Sequence, residues 1–213
     1  MRTRRATCRR VVLPPRYSEV KMRAQSTIRR IAVYCGSADG NHPAYRAEAA
    51  MLGAAIASAG LGLVYGGANV GLMGAVADAA LAGGTEVVGV LPEVLAGREI
   101  AHKHLTRLET VATMHQRKAR MVALADAFLI LPGGYGTLDE MLEIITWSQL
   151  RIHAKPCILI NTLGYWDGLL RFLDSTVTSG FLKPENRALL QVAPDAADAV
   201  RRVVAQIATP PES

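Results

Sequence analysis

Short apolar runs alternate along the chain with longer amphipathic stretches in which apolar residues recur at helical spacing. The runs predict β-strands over 28–34, 61–65, 86–91, 127–131 and 157–160. The periodic stretches predict helices over 43–59, 71–82, 114–125, 137–150, 165–179 and 195–207. Strands that are apolar throughout are buried on both faces, and their alternation with helices is the βαβ pattern of a parallel sheet. The expected fold class is α/β, a Rossmann-like three-layer sandwich whose parallel sheet is flanked by helices on both faces. With 213 residues, half of them apolar, the chain suits one well-buried domain, expected over 27–208 with 209–213 as a tail.

The net charge of +6 changes meaning once it is divided. Residues 1–26 carry +7 and the remainder −1, so the folded part is neutral and no nucleic-acid face is expected. The basic segment reads as a disordered extension, or as sequence upstream of a start at Met22. An organellar transit peptide ranks below both, because Pro14 and Pro15 break any amphipathic helix. No apolar stretch has the length of a secretory core or a membrane span. Cys8, Cys35 and Cys157 form no C-x-x-C pair, which points to a reducing compartment and a cytoplasmic protein; Cys35 and Cys157 read as small core hydrophobes. The histidines form no H-E-x-x-H, His102-Lys103-His104 alternates as a solvated segment does, and no metal is expected.

Chemistry concentrates in loops that follow strands, where open α/β sheets bind ligands. The first strand ends in Cys35-Gly36-Ser37, the second in a turn beginning Gly66-Gly67, the third near Arg98-Glu99, and the fourth in Pro132-Gly133-Gly134-Tyr135-Gly136-Thr137. Glycines at 133, 134 and 136 let the backbone approach an anion and adopt positive φ, and the following helix start attracts negative charge. The loop lacks the Gly-Lys-Ser/Thr ending of an NTPase P-loop, and Asp139 stands where a dinucleotide fingerprint needs its third glycine, so it suits a single phosphate. Glu140 places a carboxylate beside that phosphate site. Thr137-Leu138-Asp139-Glu140 also fits a capping box, a purely structural role. Arg117 and Lys118, near the start of the helix over 114–125, oppose the helix dipole unless an anion lies nearby; a solvated basic face is the plainer reading.

Met114-His115-x-Arg117-Lys118-x-x-Met121 together with Pro132-Gly133-Gly134-x-Gly136-Thr137-x-x-Glu140 closely resembles the LONELY GUY family, the cytokinin riboside 5′-monophosphate phosphoribohydrolases, once labelled lysine decarboxylases. The resemblance runs from about Ile28 to Gln191 and takes in Gly36, Ser37, Gly66, Gly67, Arg98-Glu99 and Thr146-Trp147. It implies hydrolysis of the N-glycosidic bond of a nucleoside 5′-monophosphate, without a cofactor, by a homodimer or larger homo-oligomer. It also implies nucleotide binding by Glu99, Arg117, Lys118, the run 134–140 (Tyr135 included) and Thr146, with Met114 and Gly133 in the same motifs and with Arg117 and Glu140 catalytic. A guanidinium does not deprotonate, so Arg117 is expected to hold phosphate or to fix Glu140 rather than to act as an acid. Asp139 should point about 100° away around the helix. The alternative is a carrier of a nucleotide or of molybdenum cofactor on the same fold; a DNA-processing relative fits the neutral charge poorly. A decarboxylase would need a Schiff-base lysine in a pyridoxal phosphate site.

Overall fold

A computed structural model describes residues 29–96 and 101–208. Seven strands form one sheet: β1 (Arg30–Tyr34), β2 (Gly62–Tyr65), β3 (Val87–Pro92), β4 (Arg107–Val111), β5 (Ala127–Ile130), β6 (Cys157–Ile160) and β7 (Leu190–Ala193). Every pairing is parallel and the spatial order is β4-β3-β2-β1-β5-β6-β7. The helices are α1 (Pro43–Ser58), α2 (Gly71–Ala82), the short α3 (Glu93–Ala96), α4 (Met114–Leu124), α5 (Tyr135–Gln149), α6 (Asp167–Thr178), the short α7 (Pro184–Arg187) and α8 (Ala196–Ala208).

The sheet buries both faces because its inner strands, Arg30 at the start of β1 apart, carry no polar or charged side chain in their interior. Ile31, Leu63 and Leu129 point into a core with Leu52 of α1, Val76 of α2 and Val203 of α8. Ala32, Val64 and Phe128 point the other way, onto Met121 of α4, Met141 and Ile144 of α5, and the half-buried Leu169 and Leu173 of α6. Each fully buried aliphatic side chain contributes about 1.5–3 kcal/mol, so the two cores fix the layers. The expected three-layer sandwich is therefore present, with helices on both faces.

Two strands exceed those the pattern predicted. β4 pairs only with β3, and its side chains alternate between half-buried and exposed, so it carries no apolar run. β7 spans four residues, pairs only with β6, and is likewise an edge. His102 is a correction: rather than lying in solvent it is 7% exposed, with Nε2 2.9 Å from Asp78 Oδ1 and its N–H donated to the carbonyl of Gly67. Lys103 and His104 are exposed, as expected. Cys35 and Cys157 are free and buried, and burial pushes the Cys157 thiol up to about 12. The expected basic extension, Cys8, Met22, Arg98, Glu99 and the tail 209–213 lie outside the described residues. Among the described residues no helix is long and apolar enough to cross a membrane.

Candidate active site

Strand order reverses at β1, whose neighbours are β2 on one side and β5 on the other. Chains leaving the carboxyl ends of these strands part in opposite directions and leave a crevice. There a cleft of about 240 Å³ is lined by Cys35, Gly36 and Ser37 after β1, Gly66 after β2, Met73 of α2, Met114 and Arg117 of α4, and residues 134–137, 139 and 140 of α5 and its cap. A second cleft of about 320 Å³ shares Gly36, Ser37 and Gly134 with the first and is walled by Tyr45, Leu72, Pro132, Gly133 and Tyr165.

The glycine loop is built for proximity. None of Gly133, Gly134 and Gly136 has a positive φ, which corrects one of the two reasons expected for them. A Cβ on Gly133 would stand 2.1 Å from Thr137 Oγ1 and 2.9 Å from Gly36 N, so this position seats the loop against β1. A Cβ on Gly134 or Gly136 would meet nothing within 4 Å, which leaves the helix start open to a ligand. Gly134 is the N-cap of α5 and supplies no side-chain cap; the first intrahelical bond there is Leu138 N–H to the Gly134 carbonyl. The amides at the start of α5 thus have no partner within the helix and meet the cleft.

Thr137 is the third residue of α5 rather than its cap, so the capping-box reading of Thr137 and Glu140 does not hold. A variant of the box lies on α4 instead. Thr113 caps that helix, its Oγ1 accepting from the Gln116 N–H at 3.2 Å, and Gln116 Oε1 accepts at 3.0 Å from the N–H of Ala112, one residue before the cap.

Glu140 turns inward from α5 and faces Arg117 across the cleft floor. Arg117 Nη1 lies 3.1 Å from Glu140 Oε1, with the two side chains 10% and 9% exposed. The contact is ionic without hydrogen-bond geometry, which leaves Oε1 buried with no hydrogen-bond partner. Arg117 is pinned from behind, Nε donating to the Val90 carbonyl at 3.1 Å. That carbonyl lies where the β2–β3 ladder ends, Tyr65 opposite Gly89 being its last pair. Gly66 makes room for the guanidinium, since a Cβ there would stand 2.3 Å from Arg117 Nη2. Burial pushes the Glu140 carboxyl up to about 7 against the lowering pull of Arg117.

Of the expected site residues, Gly36, Ser37, Gly66, Met114, Arg117, Gly134, Tyr135, Gly136, Thr137 and Glu140 line the first cleft, and Gly133 lines the second. Gly67 does not face it; with φ of +79° it turns the chain beneath Leu108. Lys118 lines neither cleft, its ammonium being taken by Asp139 and Glu143. Thr146 is exposed, and its hydroxyl donates to the Leu142 carbonyl one turn back at 2.7 Å. Glu99 lies outside the described residues. Sequence reasoning missed Cys35 and Met73 as lining residues, because both types pass for core. Asp139 does reach the rim, yet its carboxylate is spent on Lys118.

Residues 73–203 match a family model described as a possible lysine decarboxylase. The chain is 46% identical over 182 residues to a cytokinin riboside 5′-monophosphate phosphoribohydrolase of Arabidopsis thaliana, covering 85% of each. Over 173 residues it is 49% identical to a probable enzyme of the same name from Oryza sativa subsp. japonica, covering 81% of this chain and 70% of that one. Among solved structures, the molybdenum cofactor binding protein of Rippkaea orientalis superposes with a TM-score of 0.66 at 22% identity, covering 86% of this chain and 99% of the other. DNA processing protein A of Streptococcus pneumoniae gives 0.55 at 11% identity, covering 82% and 62%. At such identities these two likenesses carry the fold alone.

Proposed function

The chain belongs to the cytokinin riboside 5′-monophosphate phosphoribohydrolase family, and on that premise we propose that it hydrolyses the N-glycosidic bond of an N6-prenylated adenosine 5′-monophosphate to free base and ribose 5-phosphate. The observation that carries the reading is the buried Glu140 carboxyl, its pKa raised to about 7, in a cleft that the open start of the same helix also lines.

The 5′-phosphate sits at that helix start, where unbonded amides and the helix dipole favour an anion. As the bond from C1′ to the base lengthens, positive charge builds on the ribose in an oxocarbenium-like state. The Glu140 carboxylate stabilises that charge and takes a proton from the water attacking C1′, while the departing base gains a proton, so water alone balances the reaction. Arg117, fixed between Val90 and Glu140, orients the carboxylate instead of supplying a proton, because a guanidinium is a poor proton donor. A decarboxylase would need a lysine in the cleft, and among the described residues no lysine lines it. The working unit is a homodimer, a reading favoured by the outer face of α6, where Phe172 is 62% exposed and no residue is buried.

Incubation of the protein with AMP and with N6-isopentenyladenosine monophosphate, followed by chromatography of base and ribose 5-phosphate, tests the reaction. Release is expected from both, faster from the prenylated nucleotide; release from neither would overturn the proposal in favour of a carrier. Glu140→Gln should still bind nucleotide while turnover falls about 10²–10⁴-fold, the usual worth of a general base.

A further inference from the structure

The Gly133–Gly134 peptide separates the two clefts, Gly133 lining the second and Gly134 both. Three successive carbonyls of the glycine loop are each held by a donor. That of Pro132 accepts from the Gly36 N–H at 2.9 Å, that of Gly133 from the Tyr165 hydroxyl at 2.7 Å, and that of Gly134 from the Leu138 N–H at 3.0 Å. Only the middle bond comes from a side chain. In a planar trans peptide the C=O and N–H point opposite ways, so the bond that draws the Gly133 carbonyl to Tyr165 turns the Gly134 N–H away from it. That N–H has no hydrogen bond among the described residues and belongs to the N-cap of α5. A peptide flip would reverse the pair and aim a carbonyl where an anion is to sit. The flip carries φ of Gly134 from −96° into the positive region, which glycine enters freely and other residues resist. With no Cβ on either side, this peptide is the least constrained link of the loop.

We infer that Tyr165 is a positioning residue: its hydroxyl latches the Gly133–Gly134 peptide in the orientation that presents an amide, not a carbonyl, to the substrate's phosphate. The inference deepens the phosphoribohydrolase reading and rests on it for the identity of the phosphate, though not for the peptide geometry. The turn that carries Tyr165 is built for this placement. It runs over Thr162–Gly164 after β6, with Leu163 at φ of 55° and Gly164 at 71°. A side chain as bulky as leucine occupies that region only where its surroundings impose it. Asn161 closes the turn, its Oδ1 accepting from the Trp166 N–H at 2.8 Å and its Nδ2 donating to Asp167 Oδ1 at 2.7 Å. The Tyr165 ring stands edge-on to Tyr45 of α1 at 5.8 Å and to Trp166 at 4.8 Å, which sets its direction while leaving it 43% exposed. A strained turn that follows β6 thereby fixes the loop that follows β5.

The test compares wild type, Tyr165→Phe, Gly134→Ala and the double variant for binding of ribose 5-phosphate and of free N6-isopentenyladenine by NMR titration, beside steady-state kinetics. Tyr165→Phe keeps the ring and its aromatic contacts and loses only the donor. Water reaches this surface bond, so its loss should weaken ribose 5-phosphate binding by on the order of fivefold, through the fraction of loops in the competent orientation. KM for the prenylated nucleotide should rise by the same factor with kcat within about twofold, and binding of the free base should not change. Gly134→Ala resists positive φ, and its Cβ meets no protein atom within 4 Å. In that background the flip is already blocked, so Tyr165→Phe should weaken binding by less than about twofold. A hydroxyl that touched the phosphate itself would cost the same in both backgrounds, and a purely structural one would lower the thermal midpoint without weakening ribose 5-phosphate; either result overturns the latch. Should Gly134→Ala bind too weakly to be read, ¹⁵N relaxation dispersion of nucleotide-free Tyr165→Phe decides. Exchange at the Gly134 amide, absent from wild type and quenched by ribose 5-phosphate, supports the latch, and a quiet amide overturns it. None of these binding readouts needs turnover, so if not even the wild type releases base the functional reading fails while the latch is still judged.

Discussion

Because burial moves the Glu140 carboxyl from 4.5 to about 7 in the folded chain, its ionisation governs both turnover and folding near neutral pH. A base must be ionised to work, so kcat/KM should rise about tenfold per pH unit up to about 7 and then level off, a profile measurable with the prenylated nucleotide. For folding the sign is reversed. The folded chain binds this proton more tightly than the unfolded chain, so the carboxylate's cost is absent below 4.5, grows as pH rises, and is complete above about 7. Its size is on the order of 3 kcal/mol. Glutamine carries no such dependence, and urea denaturation should therefore find Glu140→Gln gaining stability relative to wild type between pH 5 and 8, by on the order of 2 kcal/mol. A flat difference would place the carboxyl in contact with solvent. Gly66→Ala probes the partner: the added methyl meets a guanidinium already pinned by Val90 and Glu140, so Arg117 must shift and activity should drop on the order of 100-fold. Retained activity in that variant would show the guanidinium free to move.

At the scale of elements, strands buried on both faces announce themselves as apolar runs, and β6 over 157–160 follows the pattern to the residue. Edge strands do not, because one side needs no burial; β4 reads Arg-Leu-Glu-Thr-Val, neither an apolar run nor a strict alternation, and leaves Leu108 40% exposed, so nothing in the sequence separates it from a loop. The chemistry of α4 was half legible. A basic pair near a helix start called for an anion, and the structure supplies protein carboxylates on α5, which only the three-dimensional seating of two helices reveals. The capping-box variant that holds α4 stood in plain sight at Thr113 and Gln116, while the similar string at Thr137 misled, because Gly134 starts α5 earlier. Thr113→Ala should cost about 1 kcal/mol in thermal or urea unfolding. The far end of α5 closes with Arg151 in the left-handed region, φ of 59°, its N–H bonded to Ser148 and that of Ile152 to Trp147. Glycine adopts that geometry without a Cβ penalty, so Arg151→Gly should stabilise the chain by about 1 kcal/mol in the same assay.

The whole molecule places its chemistry where a doubly wound sheet leaves space, at the reversal of strand order beside β1; the expected parallel sheet pointed to the loops after its strands, but not to the strand order that sets the reversal. What topology does not settle is the covering of the outer helices. α6 repeats apolar residues at helical spacing, yet none of its residues is buried; Phe172 is 62% and Phe181, just beyond its end, 90% exposed. An isolated chain gains nothing from aromatic surface in water, whereas at about 25 cal/mol per Å² its burial against a second copy is favourable. Sedimentation velocity at micromolar concentration should therefore report a dimer for wild type and a shift toward monomer for Phe172→Asp. Since Phe172 lines neither cleft, an intact fold in the variant can be checked by circular dichroism and by ¹³C NMR titration of the Glu140 carboxyl. Turnover per chain then separates two kinds of dimer. If the Phe172→Asp monomer releases base as fast as wild type, each chain holds a complete site and the interface serves stability alone. If turnover falls with dissociation while the Glu140 midpoint stays in place, the partner completes the cleft. A wild type that sediments as a monomer would remove the homodimer from the proposal.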